Sequence, residues 1–451
     1  MSDKAIQFGF GRANINPSMP ISLAGYFNIR MWKTILDDLE VRALVLKQEE
    51  TITAIVQFDL VTVSQELAEA FYKEISDIQE LSPDKMIITA THTHTAPEVR
   101  GSKPGAHPDF VPFAAKQAAK ALREAMNDLH DGTLLSGKAE DHRFSFNRRY
   151  WMKNGEVITN PGKLNPAIER PEGEVDHDIP LLGIAENGKL KVLLANIVNH
   201  TDTIGGSDVS ADWAGFFIKS LEKQLGEGSM VFPLIGCAGN INHFDVSTDM
   251  DQTCYAEAKR IGEGYADSVS GKLKNMKPIE SAVLEIRSKT IQTSQHEISK
   301  EELEDAEKVL QKYEDVPDPL TSGINLTSED LAQGKPIALK YFAKILKDMA
   351  SDNSTRSFQL VGIFLDDTVI ASLPCEPFVE IGLEIKRNIF KGKNAMVVSH
   401  SNGTGNINVP GGYIPNTWNY GRGGYETTPR SNQFSVKTSE KLLEAWREIA
   451  Q

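Results

Sequence analysis

Thr91-His92-Thr93-His94-Thr95 places two histidines, one residue apart, directly after a short apolar run at 86–90. In extended backbone, residues i and i+2 point to the same face. His92 and His94 are therefore expected to enter one cavity at the end of a strand, where α/β proteins place their sites. A third histidine stands in Asn199-His200-Thr201-Asp202, after the apolar run at 192–197. Glu376 lies between two prolines in Leu373-Pro374-Cys375-Glu376-Pro377, after the run at 369–373, and each proline fixes its own φ. Neutral imidazole serves as a zinc ligand or a general acid/base, and two histidines with one glutamate are a known catalytic zinc set. Plainer readings exist for each: hydrogen-bonded histidines at strand ends, and a glutamate at the start of the helix that begins near Phe378.

A further segment, 401–425, is rich in Gly, Asn and aromatic residues. Long ordered loops of this texture are usually functional. It is expected to wall a pocket with Tyr413, Trp418, Tyr420 and Tyr425, or else to form an aromatic surface loop or a subunit contact. In Phe146-Asn147-Arg148-Arg149, Arg148 is a candidate for binding an anion or an oxyanion; the alternative is a surface ion pair, worth little. Asn240 lies in the Gly-rich turn Gly236-Cys237-Ala238-Gly239-Asn240-Ile241-Asn242, which suits presentation of backbone N–H groups. That turn has neither the Lys-Ser/Thr of a phosphate loop nor the serine of a nucleophile elbow. Cys237 within it is read as a buried inert thiol, with a thiol nucleophile as the alternative.

Apolar and β-branched runs alternate with helical periods along the chain. Strands are predicted at 41–46, 52–58, 86–90, 180–184, 192–197, 230–235, 358–364, 369–373 and 395–398, and helices at 65–78, 113–129, 213–225, 255–273 and 439–449. This order predicts an α/β fold with a mixed β-sheet flanked by helices. Asn187-Gly188 between two runs predicts a hairpin, so the sheet is not purely parallel. At 299–350 the texture changes. Ser299 and Glu302 form a capping box, and Leu303, Ala306, Leu310 and Tyr313 follow at helical spacing. After a loop around Gly323 and Gly334, Ile337, Tyr341, Ile345 and Met349 repeat the pattern. Two helices of an insertion are expected, packed on the body or serving as a lid. No internal repeat or low-complexity linker marks a second domain.

The 451 residues carry a formal net charge of -14, with 40% hydrophobic and 24% charged residues. The balance suits a globular core. It excludes nucleic acid as a partner, which needs a basic stripe, and stable association with an anionic membrane surface. Cys237, Cys254 and Cys375 form no CxxC pair, so no disulfide framework is expected. With no apolar leader at the N-terminus, the expected location is the cytoplasm.

The order of these motifs resembles the catalytic domain of the neutral/alkaline (non-lysosomal) ceramidase family. FGFGRANINP with Ala24-Gly25-Tyr26 is similar to that family's opening, Asp38–Ala43 to its RxRA strand, and THTHTAP to its HTHSGP. Asn147-Arg148 resembles its NR motif, and Glu376 matches the glutamate of its P-G-E, with Cys375 in place of the glycine. Tyr413 and Tyr425 stand twelve residues apart, with Glu426 after the second, which is the spacing of that family's zinc tyrosine and active-site tyrosine. The resemblance runs from about Phe8 to the C-terminus and leaves no C-terminal β-sandwich domain.

The resemblance implies one zinc ion held by His92, His200, Glu376 and Tyr413. It also implies His94 as the acid/base and Tyr425 with Arg148 at the oxyanion, while Asn240, Trp418 and Tyr420 are assigned to substrate binding. The expected activity is hydrolysis of an amide by zinc-activated water on a small molecule more soluble than ceramide. Ester, lactone or glycosidic bonds are the alternative, and a non-catalytic binding protein is a further one.

Overall fold

The computed structural model describes residues 5–101, 103–280, 282–318, 326, 330, 333–403, 412–429 and 431–451. Positions 404–411 of the predicted loop, and Gly323, lie outside the described residues.

Two sheets form the centre. The larger contains β1 (Ile6–Asn14), β2 (Glu40–Gln48), β3 (Thr51–Phe58), β4 (Met86–Ala90), β5 (His130–Glu140), β6 (Asp178–Glu186), β7 (Lys189–Ile197) and β8 (Met230–Ile235). Its order is β8-β7-β6-β5-β1-β2-β3-β4, with the short Lys277–Pro278 strand beside β5. The pairs β3/β4 and β7/β8, at the two edges, are parallel, and the other pairs along this order are antiparallel. The second sheet runs β9 (Leu284–Thr293), β10 (Arg356–Leu365), β11 (Thr368–Ser372) and β12 (Asn394–Val398), and its last pair, β11/β12, is parallel. The hairpin read at Asn187-Gly188 joins β6 to β7, with φ of 50° and 76° at its two turn residues.

The alternation of side chains along the strands builds four layers. From β2, Leu44 and Leu46 face the second sheet and meet Ile363 and Ile370. Val41, Ala43 and Val45 face outward and pack under α1 (Gln65–Glu74) and α2 (Phe110–Asn127). The other half of the outer face is covered by α3 (Asp212–Leu225) and α4 (Tyr255–Leu273), with Trp213, Phe217 and Tyr265 in the core. The insertion supplies α5 (Lys300–Lys312) and α6 (Pro336–Ser351), then comes α7 (Val379–Glu384), and α8 (Thr438–Ile449) covers the second sheet through Leu442 and Trp446. The fold is thus α/β with mixed sheets between helices. The Ser299–Glu302 capping box at α5 forms as read from the sequence.

β1, β5 and β9 are absent from the sequence-based expectations. Gly9 and Gly11 interrupt the apolar pattern of β1, yet packing requires them: a Cβ at Gly9 would lie 2.0 Å from Ala125 O, and one at Gly11 would lie 2.3 Å from Ala121 O. In β5, Gly132 and Gly137 sit under Phe8 and Met276 in the same way. Much of β9 is exposed, so its apolar signal is thin.

Both edges of the large sheet bend toward the second sheet. Gln57 Nε2 on β3 donates to Pro233 O on β8 at 2.7 Å. Asn196 Nδ2 on β7 donates to Leu234 O and Val397 O, 2.9 Å each. The C-terminal ends of β4, β7, β8, β11 and β12 are thereby gathered at one place. Ser399 N donates to Ile235 O at 2.9 Å, His400 N to Cys375 O at 3.0 Å, and Asn402 N to Ile88 O at 2.8 Å.

The three cysteines are free, with Cys237 and Cys375 buried. Among the described residues, no helix is long and apolar enough to cross a membrane.

Candidate metal centre

Three histidines meet where these strand ends converge. His92 Nε2 lies 3.0 Å from His200 Nε2 and 3.2 Å from His94 Nε2, and all three residues are buried. Backbone carbonyls settle two of the tautomers. His92 Nδ1 is 2.6 Å from Val61 O, and His200 Nδ1 is 3.0 Å from Ala238 O. A carbonyl only accepts, so each Nδ1 carries the proton and each Nε2 offers a lone pair. Burial, foremost, pushes both histidines below the ordinary value of 6.5 and keeps them neutral. Two lone pairs thus face each other at 3.0 Å with no proton between them.

Glu376 completes the arrangement. Its Oε2 is 3.6 Å from both Nε2 atoms and has no hydrogen-bond partner. Tetrahedral coordination at about 2.0–2.1 Å puts neighbouring donors roughly 3.3 Å apart, close to the observed spacing. A divalent cation fits this set, which sets two neutral imidazoles and an unpaired carboxylate around one point. His92, His94 and His200 form a second possible donor group. Glu376 does not cap the helix after it; Val379 N is instead taken by Asn240 Oδ1 at 2.8 Å.

His92 and His94 converge by a route other than the one expected. His92 has φ of 62°, in the left-handed region, so the strand ends there and the same-face rule for i and i+2 does not apply. The two rings stand perpendicular, at 89°. Cys375 and His400, next to other strand ends, share this backbone state, with φ of 56° and 54°. Such strain clusters at functional sites.

His94 is held by a collar of groups. Arg30 Nη2 donates to His94 O at 2.6 Å and also to Ala24 O. The Arg30 guanidinium lies 4.0 Å over the Tyr26 ring, and the Tyr26 hydroxyl donates to Asp202 Oδ1. That oxygen is 3.5 Å from His94 Nδ1. Gly25, with φ of 99°, lies against the His94 ring, where a Cβ would come within 2.5 Å of Nδ1. Burial pushes His94 well below 6.5 and pushes the Asp202 carboxyl up to about 7.

Tyr413 is set beside Glu376 by a two-residue parallel pairing, Glu376–Pro377 with Tyr413–Ile414. Its hydroxyl is 3.4 Å from that of Tyr425. The Arg148 guanidinium sits 5.1 Å from the Tyr413 ring and 5.4 Å from the Tyr425 ring. Arg148 is fixed there by Glu426 Oε1 at 3.0 Å and Gly239 O at 2.6 Å. Burial pushes Tyr425 up to about 12, so its hydroxyl keeps its proton at neutral pH.

The side chains of the three residues assigned to substrate binding have surroundings of their own, although Arg148 N donates to Asn240 O at 2.9 Å. Both amide atoms of Asn240 are committed, Oδ1 to Val379 N and Nδ2 to Glu380 Oε2 at 3.0 Å. Trp418 is 55% exposed. Tyr420 is engaged by Asn432 Nδ2 and packs near His296. The aromatic content of the loop therefore serves partly to dock it.

His400 escaped sequence reasoning. It stacks on His92 with ring centroids 4.0 Å apart and planes 18° apart. Its signal was available, because it follows the strand at 395–398 just as His92 and His200 follow theirs. Cys237 is buried, which pushes its thiol up to about 12 and favours the inert reading over the nucleophile.

No family model matches the chain, and no curated protein sequence matches it. Solved structures do. The neutral ceramidase from Pseudomonas aeruginosa aligns with a TM-score of 0.72 at 15% identity, over 100% of this chain and 74% of its own. A ceramidase complexed with C2 aligns with a TM-score of 0.72 at 14% identity, over 99% of this chain and 75% of its own. The fold is that of neutral ceramidases.

Proposed function

We propose that the protein is a zinc-dependent hydrolase that cleaves an amide (N-acyl) bond with an activated water. The observation that carries this reading is the pair of neutral, carbonyl-anchored histidines whose Nε2 lone pairs meet at 3.0 Å beside the unpaired Glu376 Oε2. In this reading His92, His200, Glu376 and Tyr413 hold the ion. Zinc in such a site supplies a Lewis acid and lowers the pKa of a water from 15.7 to about 7.

The chain's own residues do the rest. His94, neutral and collared by Arg30, Tyr26 and Asp202, accepts the proton of the attacking water and passes it to the leaving nitrogen. The Tyr425 hydroxyl, still protonated at neutral pH, donates to the carbonyl oxygen as charge develops on it. Arg148 adds a fixed positive charge behind both tyrosines. One such oxyanion donor is worth about 3 kcal/mol. The products are a carboxylate and an amine.

A second ligand set has an observation of its own. His94 Nε2 lies 3.2 Å from His92 Nε2, so His94 could replace Tyr413 as a ligand. Its Nδ1 has no hydrogen-bond partner, unlike those of the two anchored histidines, and this favours the acid/base role.

The substrate proposed is a soluble N-acyl compound, because a chain of net charge -14 is repelled by anionic bilayers. Assays of the zinc-loaded protein on long-chain ceramide, beside short polar amide, ester, lactone and glycoside substrates, test this. A soluble amide is expected to turn over fastest. Faster turnover of ceramide overturns the substrate, faster turnover of another bond type overturns the amidase reading, and no turnover of any compound favours a binding protein.

A further inference from the structure

We propose that His400 is a positioning residue of the metal centre: its ring holds the plane of the His92 imidazole, and its segment joins the strand ends that carry the ligands. The proposal rests on the metal-site reading above and adds to it how the donors are held in place before an ion arrives.

Four buried histidine rings meet at this centre. The rings of His94 and His200 stand edge-on to His92, at 89° and 81°. His400 lies flat on it, with centroids 4.0 Å apart and planes 18° apart. An imidazole lone pair lies in its ring plane, and two nearly parallel stacked planes do not converge on one ion. His400 therefore stands beside the donor set, not in it.

His92 needs such a support. Val61 O, 2.6 Å from Nδ1, decides which nitrogen carries the proton, but one hydrogen bond lets the ring rock about it. The χ2 torsion of histidine is broad and gives little resistance of its own. The His92 and His200 Nε2 lone pairs, 3.0 Å apart, repel and favour turning the ring away. A ring lying flat on another in a close-packed interior cannot turn about its Cβ–Cγ bond without driving its edge into the neighbour. The hydrogen bond thus sets the tautomer of His92, and the stack sets its plane.

The backbone around His400 ties the ligand-bearing segments to one another. Ser399 O accepts from Thr89 Oγ1 on β4 at 2.9 Å, three residues before His92. Ser399 Oγ donates to Gly236 O at 2.7 Å, two residues before Ala238, whose carbonyl holds His200. His400 N donates to Cys375 O at 3.0 Å, immediately before Glu376, and Ser401 N to Leu373 O at 3.0 Å. His92, His200 and Glu376 lie far apart in sequence, and the three residues 399–401 are bonded beside each of them. His400 and Cys375 both hold a left-handed backbone, with φ of 54° and 56°. Such conformations persist where the surroundings over-determine them, as these bonds do.

The test measures the zinc affinity of the folded full chain by competition with a chelator, with the urea midpoint of each metal-free variant alongside. His400→Asn removes the ring, keeps the backbone amide and tolerates positive φ. His400→Phe keeps an aromatic plane without ring nitrogens. We expect His400→Asn to weaken zinc binding about tenfold or more, the weight of groups that orient metal-bound histidines, and His400→Phe to recover most of that loss. Unchanged affinity in His400→Asn overturns the proposal even if its midpoint falls, because lost packing alone lowers the midpoint without touching the site. Equal weakening in His400→Phe also overturns it, by making a ring nitrogen the working group. If the unsubstituted chain binds no zinc, the metal-site reading falls by itself, and nitrogen NMR of the metal-free chain decides the positioning. The unsubstituted chain is then expected to show His92 as the single Nδ1–H tautomer, and His400→Asn a mixture of both; a single tautomer in both overturns it. The same measurement decides if His400→Phe does not fold.

Discussion

Arg148, Arg149, Glu172 and Glu426 form a buried ion network next to the buried cluster of His92, His200 and Glu376. In the first, every charge is answered. Glu426 accepts from Arg148 Nε at 3.0 Å, Arg149 Nη1 at 2.9 Å and Thr159 Oγ1 at 2.7 Å, and Arg149 also binds Glu172 and Gly423 O. In the second, lone pairs converge, and Glu376 Oε2 and His94 Nδ1 find no partner. Buried polar groups left unpaired in a folded protein call for an explanation. The satisfied network ties Arg148 and the loop carrying Tyr425 to the body. The unsatisfied cluster is where an ion and a substrate would complete the structure.

Breaking the second cluster should cost chemistry. His200→Ala is expected to lose the metal by elemental analysis, together with turnover. His94→Ala is expected to keep the metal while kcat falls about 10²–10⁴-fold, the usual weight of a positioned acid/base. Equal metal loss in both variants would make His94 a ligand.

Breaking the first network should cost stability. Glu426→Gln leaves two buried guanidinium groups short of their counter-charge, a loss of about 3–5 kcal/mol readable by urea unfolding. Glu376→Gln removes an already unpaired carboxylate, so without metal it should change stability by under about 1 kcal/mol. Similar losses in both variants would erase the contrast.

A pH series sharpens the same contrast. Burial pushes His92, His94, His200 and His400 below 6.5. Below pH 6.5 these histidines bind more protons in the unfolded chain than in the folded one, so their contribution to stability falls as pH falls toward the folded values, partly offset by the Asp202 carboxyl, whose folded value of about 7 acts in the opposite sense. The metal-free protein should lose up to about 1.4 kcal/mol per histidine per pH unit in that window. A flat urea midpoint between pH 6.5 and 5 would contradict neutral buried histidines.

The smallest effect is expected at Cys237, whose buried thiol is pushed up to about 12. Cys237→Ser should keep metal and turnover within about twofold, since buried thiols are inert. Loss of activity with fold and metal intact would point to a thiol nucleophile.

Strand ends were the legible part of the sequence. Apolar runs such as 86–90 and 230–235 match β4 and β8 residue for residue, because strands buried on both faces read as continuous apolar stretches. The same runs located His92, His200 and Glu376. Strands with glycines under a helix, such as β1, were not legible, since their apolar pattern is broken where helix packing needs space. The left-handed turn at His92 was also hidden, because histidine's preference for positive φ is too weak to single out one position. Trp418 and Tyr420 are read into the site from the composition of the loop at 401–425, and Asn240 from its Gly-rich turn, and composition alone does not fix which way a side chain faces. His400 obeys the same strand-end rule, two residues after β12.

The central claim is that the two facing imidazoles and Glu376 are a zinc site on which turnover depends. Elemental analysis of the purified protein, before and after chelation, with a soluble N-acyl substrate assayed in parallel, addresses it directly. The account predicts about one zinc per chain, activity lost with the metal and regained on adding zinc. A metal-free protein with full turnover would contradict it.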